Sequence, residues 1–139
     1  MTTNSTPPAG PRAVVAGHAA FAAALVEVVG RIAGKADAFR AVSNEGLDAA
    51  GVESAIRNAL TGHGASVVFT DLPAGSCTMA ARRIARADPQ VAVVTGASVG
   101  MLLDFALGAG NAVDDLERAA GRARDAMLVF PPAEGGRGA

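Results

Sequence analysis

Four short apolar segments in this chain are each followed by a segment whose apolar residues recur at helical spacing. The apolar segments are Ala13–Gly17, Ala38–Val42, Ser66–Thr70 and Val91–Thr95. The helical segments are Ala20 to about Ile32, Val52–Leu60, Cys77–Ala87 and Val99–Leu107. Because a crossover helix between two strands makes those strands parallel, the alternation predicts an α/β fold. We expect a three-layer, doubly wound domain with a four-stranded, mostly parallel sheet and helices on both faces.

The chain continues into one more helical segment, Val113 to about Ala126, and Met127–Phe130 is a candidate fifth strand. Its 139 residues, half of them hydrophobic, suit one domain with its own core. We place that domain at residues 13–130. The polar, proline-rich residues 1–12 are expected to form a disordered tail, and the glycine-rich residues 131–139 a flexible one.

Composition excludes several classes of partner. A net charge of −1 and a pI near 6.1 provide no basic surface for a nucleic acid. The longest apolar run, Ala19–Val26, is far shorter than the roughly 20 residues that cross a bilayer. A single cysteine, Cys77, cannot form an internal disulfide, as is typical of a reducing compartment. We therefore expect a cytoplasmic protein that binds no nucleic acid and does not insert into a membrane.

His18 and Asp71 directly follow the first and third predicted strands. The carboxyl ends of parallel strands meet at one edge of a sheet, so both residues, together with the Gly96–Ser98 loop, should converge there. A carboxylate that accepts one imidazole N–H fixes the tautomer and leaves the other ring nitrogen free as a nucleophile. The pair is therefore a candidate catalytic site.

Residues Ala74, Gly75 and Ser76 form a turn that leads into the third helix. A helix N-terminus offers free backbone N–H groups and the positive end of a dipole, which together suit a phosphate. The turn is a candidate phosphate-binding element beside His18. Each residue also has an ordinary structural interpretation: His18 as a loop residue, Asp71 as a turn residue and Ser76 as a helix N-cap. Their convergence at one sheet edge favours function.

Other chemistries lack sequence support. The chain contains neither a Gly-x-x-x-x-Gly-Lys-Ser/Thr loop nor a Gly-x-Gly-x-x-Gly turn, so no motif in the sequence indicates binding of ATP or NAD. No clustering of metal ligands is visible, and we expect neither a metal nor a cofactor. A Ser76–His18–Asp71 hydrolase is disfavoured because residues 74–78 do not form a Gly-x-Ser-x-Gly elbow.

Three motifs resemble the IIA domain of the mannose family of the bacterial sugar phosphotransferase system. They are Val-Val-Ala-Gly-His18 after the first strand, Thr70-Asp71 through Gly75-Ser76 after the third, and Val93-Val94-Thr95-Gly96 through Met101-Leu102 after the fourth. The resemblance runs from about Ala13 to Leu107. Where family members usually have Gly after the histidine and Gly-Gly-Ser in the turn, this chain has Ala19 and Ala74-Gly75-Ser76.

The resemblance implies a phosphohistidine carrier, an enzyme of the phosphotransferase class. His18 would accept a phosphoryl group from the HPr carrier protein and pass it to a separate IIB protein. Asp71 would orient His18, and Ser76 with neighbouring amides would lie near the phosphate. The resemblance also implies a homodimer that exchanges a C-terminal strand, for which Met127–Phe130 is the candidate, and it is compatible with association with a membrane permease complex.

Two alternative functions remain open. One is the phosphoryl-donor subunit of dihydroxyacetone kinase, although its third-strand motif tends to carry Met and Gly where this chain has Leu72-Pro73. The other is a regulatory module whose phosphorylation state controls another protein. The sequence does not identify a sugar.

Overall fold

The centre of the protein is a four-stranded sheet in which every neighbouring pair of strands is parallel. The computed structural model describes residues 10–61, 65–108 and 110–133. Its strands are β1 (Ala13–Gly17), β2 (Phe39–Ser43), β3 (Val67–Thr70) and β4 (Ala92–Val94). Its helices are α1 (Phe21–Ala33), α2 (Ala49–Leu60), α3 (Ser76–Ala87), α4 (Val99–Leu107) and α5 (Ala112–Asp125), with a short 3-10 helix at Ala36–Ala38. The spatial order is β2-β1-β3-β4, and the predicted fold class is confirmed.

The central position of β1 in the sheet explains why its sequence is apolar throughout. All five of its residues are buried, because helices cover the sheet on both faces. Val14 packs in a cluster with residues of α2 and α3, whereas Val15 packs with residues of α1, α4 and α5. These two clusters form the core of the three-layer domain.

Three phenylalanines carry much of the core on the α1 side. The ring of Phe69 lies 5.2 Å from that of Phe105 and 6.1 Å from that of Phe39, centroid to centroid, and both contacts are edge-to-face. Such pairs contribute about 0.5–1.5 kcal/mol each beyond the burial of their area. They join β2, β3 and α4, and so help to hold the sheet that carries the site.

Most predicted boundaries lie within one residue of the observed ones, and the largest difference is at the start of α2. This helix begins at Ala49 and not at Val52, because the Asp48 carboxylate caps it by accepting a hydrogen bond from the Gly51 N–H at 2.7 Å. The apolar periodicity on which the prediction rests starts only at Val52, so it cannot reveal the first turn.

Met127–Phe130, the candidate fifth strand, forms no strand in the described part of this chain. Its four side chains are 67–86% exposed. Most of the two predicted tails lies outside the described residues. These parts are residues 1–9 of the predicted N-terminal tail and residues 134–139 of the predicted C-terminal tail. Among the helices that the structure describes, none has the length and apolar character needed to span a membrane.

Arg12 joins the start of β1 to the connection between α4 and α5. Its guanidinium donates to the backbone carbonyls of Phe105 at 2.9 Å and Gly108 at 3.1 Å, and it forms a 2.5 Å ion pair with Asp115. Hydrogen bonds from Arg12, which has the larger effect, and from Arg118 hold the pKa of the Asp115 carboxyl below its usual range. The carboxylate is 3% exposed and lies directly against Gly108.

Replacing Gly108 with Ala should therefore lower the free energy of unfolding by about 1–3 kcal/mol, because the new methyl group would overlap the Asp115 carboxylate. The matched control is Gly121→Ala in α5, where the added Cβ would meet no atom within 4 Å. That substitution should be neutral or stabilise by up to about 1 kcal/mol. Denaturant unfolding measures both, and equal stabilities of the two variants would contradict the tight packing of Asp115.

Candidate active site

The candidate site lies at the carboxyl end of the sheet, between its two central strands. The chain leaves β1 toward β2 on one side and leaves β3 toward β4 on the other, which opens a crevice between β1 and β3. Ala16 is in register with Thr70, His18 follows β1, and Asp71 follows β3. The predicted convergence of His18 and Asp71 is thus explained by the strand order.

Asp71 binds His18 through one oxygen atom. Oδ2 lies 2.6 Å from the ring Nδ1 of His18 and accepts the backbone N–H of the same residue at 2.9 Å. Two contacts to one residue fix both the backbone and the ring orientation. The His18 side chain remains 48% exposed while that of Asp71 is 10% exposed. The hydrogen bond engages Nδ1 only, so Nε2 is the ring nitrogen left for a reaction partner.

The electrostatics of the pair favour an ionised Asp71. Burial acts to raise the pKa of this carboxyl, but hydrogen bonds from the side chain and backbone of His18, with the attraction of its ring, outweigh it and the pKa is lowered. The other oxygen, Oδ1, is buried without a hydrogen-bond partner among the described residues. Asp71 is therefore held as a charged acceptor for the ring of His18.

Glycine at position 17 makes the approach of Asp71 possible. A Cβ on Gly17 would lie 3.2 Å from Asp71 Oδ2 and 2.7 Å from the ring of Phe21. A larger residue would overlap the ring of Phe21 and crowd the carboxylate of Asp71. Gly17 thus leaves room for the His18–Asp71 contact.

The Ala74–Ser76 turn places the start of α3 beside His18. Gly75 has φ of +142° and ψ of 169°, a conformation that is essentially restricted to glycine, and a Cβ there would lie 3.3 Å from Cε1 of His18. Gly75 is the N-cap, Ser76 is the first helical residue, and no side chain caps the helix. The first-turn N–H groups have no partner within the helix, so they can bind an anion. Ala74 is exposed and contributes backbone only.

A buried hydroxyl pair fixes this turn to the sheet. The Thr78 Oγ1 lies 2.7 Å from the Thr70 Oγ1 and 2.5 Å from the carbonyl oxygen of Leu72. Thr70 precedes Asp71 and Thr78 lies in the first turn of α3, so these contacts hold both ends of the segment from Asp71 to Ser76. Cys77, in the same turn, is fully buried, and burial first and the charge of Asp71 second raise the pKa of its thiol.

Asn44 reaches the site although the sequence does not predict a role for it. It follows β2, its side-chain oxygen accepts the N–H of Ala19 at 3.3 Å, and its side-chain nitrogen lies 3.5 Å from Ser76 Oγ. Ala19 has a φ of +51°, the positive value that L residues rarely adopt. The one feature of the sequence that could have indicated this role is that Asn44 directly follows β2, which is a neighbour of β1 in the sheet.

The Gly96–Ser98 loop is predicted at the same edge, and the Ala97 N–H does bind the Thr70 carbonyl at 2.9 Å. Ser98 caps α4 through the Met101 N–H. Within the described residues, no hydrogen bond joins this loop to His18 or Asp71. In the same part of the chain, no group of three or more His, Cys, Asp or Glu side chains could hold a metal ion.

Known proteins share both the sequence pattern and the fold of this chain. Residues 12–120 match the EIIA-man family, described as the PTS system fructose IIA component, where PTS stands for phosphotransferase system. No curated protein is similar enough to count as a match. Several solved structures share the fold.

One is the phosphotransferase system component EIIA from Streptococcus agalactiae, with a TM-score of 0.78, 16% identity, and coverage of 86% of this chain and 96% of that one. The mannose/sorbose specific IIA subunit from Enterococcus faecalis has a TM-score of 0.73, 18% identity, and coverage of 90% and 98%. A IIA protein associated with the fucose utilization operon of Streptococcus pneumoniae has a TM-score of 0.74, 21% identity, and coverage of 86% and 93%. Because the family match spans most of its length, this chain belongs to the EIIA-man family of phosphotransferase-system IIA components.

Proposed function

We propose that this protein is a phosphohistidine carrier, in which Nε2 of His18 accepts a phosphoryl group from an HPr-like protein and passes it to a separate IIB protein. The observation that carries the proposal is the 2.6 Å contact between His18 Nδ1 and Asp71 Oδ2, beside the uncapped start of α3. Membership of the family supports a role in a sugar phosphotransferase system. Such a relay operates in the cytoplasm.

Attack by His18 requires a lone pair on Nε2. Ionised Asp71 accepts the Nδ1–H and selects the tautomer in which Nε2 carries no proton. That lone pair forms the new N–P bond in line with the breaking N–P bond of the donor, whose electron pair returns to the donor's imidazole. No proton has to move during this transfer. The positive charge that develops on the ring of His18 is balanced by Asp71.

The transferred phosphoryl group needs donors for its oxygens. Gly75 lies close to Cε1 of His18, and the N–H groups of the first turn of α3 and the hydroxyl of Ser76, which follow it in the chain, are the proposed donors. These donors are fixed before the reaction, so they stabilise the charge without reorganisation. The transfer back to an acceptor uses the same groups in reverse.

The proposal also includes a homodimer. β4 is the last strand of the sheet, so its outer edge is unpaired in the described chain, and a groove of about 870 Å³ between this region and α5 is lined in part by Met127. The exposed apolar segment Met127–Phe130 continues from α5. We propose that it pairs with β4 of a second copy, which would cover both the strand edge and the apolar side chains.

Phosphorylation is tested by intact mass after incubation with phosphoenolpyruvate, enzyme I and HPr. The wild type should gain one acid-labile phosphoryl group, and His18→Ala should gain none. Asp71→Asn should be phosphorylated about tenfold to a hundredfold more slowly, because an amide oxygen accepts the Nδ1–H more weakly and carries no negative charge to balance the ring. A wild type that stays unmodified with a competent HPr would refute the carrier role. A phosphorylated protein that no IIB protein can discharge would favour the regulatory alternative.

The stability of the protein should depend on pH through Asp71. The pKa of this carboxyl in the folded state lies below its unfolded value of about 3.9, so its ionisation stabilises the fold above about pH 4. The contribution is lost as the pH falls through the folded pKa. Denaturant unfolding should therefore show a steeper acid loss for the wild type than for Asp71→Asn. Asp37→Asn, which removes an exposed carboxylate, is the control, and parallel acid profiles of wild type and Asp71→Asn would contradict the predicted linkage.

Exchange of the C-terminal segment is tested by replacing Met127 and Val129 with Ser. Sedimentation equilibrium should find a dimer for the wild type and a monomer for this variant, because the exchanged segment loses its apolar contacts. Ile32→Ser, which alters a side chain that is 63% exposed on α1, is the control and should remain dimeric. A monomeric wild type would exclude the exchange.

A further inference from the structure

We propose that Asn44 is a positioning residue for phosphoryl transfer, whose side-chain amide directs the hydroxyl proton of Ser76 toward the phosphoryl group on His18. The inference rests on the proposed function of His18. It assigns a role to a residue that, within the described part of the chain, forms no hydrogen bond with the ring of His18, and that lies outside the motifs at residues 13–18 and 70–76.

The backbone of Asn44 is fixed at the end of β1. Ser43 is in register with Gly17, and the Asn44 N–H donates to the Gly17 carbonyl at 3.3 Å. On its other side, the Asn44 carbonyl accepts the Leu47 N–H at 3.1 Å. The side chain therefore starts from an anchored position one strand away from His18.

The contacts determine which way the amide faces. The backbone N–H of Ala19 can only donate, so the atom 3.3 Å from it must be the acceptor Oδ1. The donor Nδ2 then faces Ser76, at 3.5 Å from its Oγ. Asn44 thus joins the residue after His18 to the first residue of α3.

This orientation decides how Ser76 can act. A serine hydroxyl has one proton to donate and two lone pairs that accept. Because Nδ2 of Asn44 is a donor, Ser76 meets it with a lone pair and keeps its proton for another acceptor. An oxygen of the phosphoryl group on Nε2 is the acceptor that the proposed function supplies. Without Asn44 the hydroxyl could rotate, and the donor would no longer be fixed in advance.

Ala19 gives Asn44 a second task. Its φ of +51° is one that L residues rarely adopt, and such a conformation persists only when surrounding contacts hold it. The bond to Asn44 Oδ1 is one such contact, and it holds the residue next to His18. Any test must therefore separate the effect on Ala19 from the effect on Ser76.

The test is a double-mutant cycle with phosphoramidate, a small donor that needs no docking partner. The rate of His18 phosphorylation is measured by intact mass for the wild type, Asn44→Ala, Ser76→Ala and the double variant. If Asn44 acts through Ser76, each single variant should be about tenfold slower, and the double variant no slower than the slower single one. Multiplicative slowing to about a hundredfold, or an unchanged rate for Asn44→Ala, would overturn the proposal.

Asn44→Asp separates the two tasks if Asn44→Ala folds poorly. Its carboxylate still accepts the Ala19 N–H, but it would also take the Ser76 proton, so the protein should keep the Ala19 amide resonance while phosphorylation slows at least tenfold. A wild-type rate for Asn44→Asp would contradict the directed proton. Ser43→Ala is the matched control at the neighbouring residue, the last of β2. The Ser43 hydroxyl accepts the Glu45 N–H, and its loss should leave the rate unchanged.

These results can be told apart from failure of the carrier function. If HPr does not phosphorylate the wild type but phosphoramidate does, the carrier role fails, and the cycle still decides the role of Asn44. If HPr phosphorylates the wild type and the cycle is multiplicative, the carrier role stands and the inference about Asn44 fails.

Discussion

The contact between Nδ1 of His18 and Oδ2 of Asp71 is the interaction on which the proposed chemistry depends. It exists because β1 and β3 are neighbours at the centre of the sheet, so that the residues after them share one crevice. Two glycines keep the surroundings small enough: Gly17 admits the carboxylate and Gly75 admits the imidazole. The order of the strands therefore places His18 and Asp71 side by side, and the two glycines leave room for their side chains.

The negative charge of Asp71 is stabilised by its immediate neighbour His18. Asp71 is nine-tenths buried, yet the two bonds from His18 keep its pKa low, so a negative charge persists where burial alone would remove it. The same charge contributes to raising the pKa of the Cys77 thiol, which keeps that side chain neutral and inert. The pair thus combines a charged group, Asp71, with an exposed imidazole, His18, an arrangement that suits the proposed transfer.

The alternation of apolar and helical segments is enough to predict the parallel sheet, the two helical layers and the convergence of His18 with Asp71. The order of the strands cannot be predicted, because the sequence of a strand does not specify which strands lie beside it. β1 and β3 are both buried throughout, and the exposed positions of β2 do not show which strand it pairs with. For that reason the sequence places Asn44 only in an ordinary loop, and it is the position of β2 beside β1 that brings it to Ala19 and Ser76. The Asp48 cap is not predicted, because the apolar periodicity identifies only the buried face of α2 and does not extend to its first turn.

The most direct measurement is the site of phosphorylation on the ring of His18, determined by phosphorus and nitrogen NMR of the phosphorylated protein. Since Asp71 occupies Nδ1, the phosphoryl group should be found on Nε2 of His18. A phosphoryl group on Nδ1, or on any other residue, would contradict the proposed role of the His18–Asp71 pair.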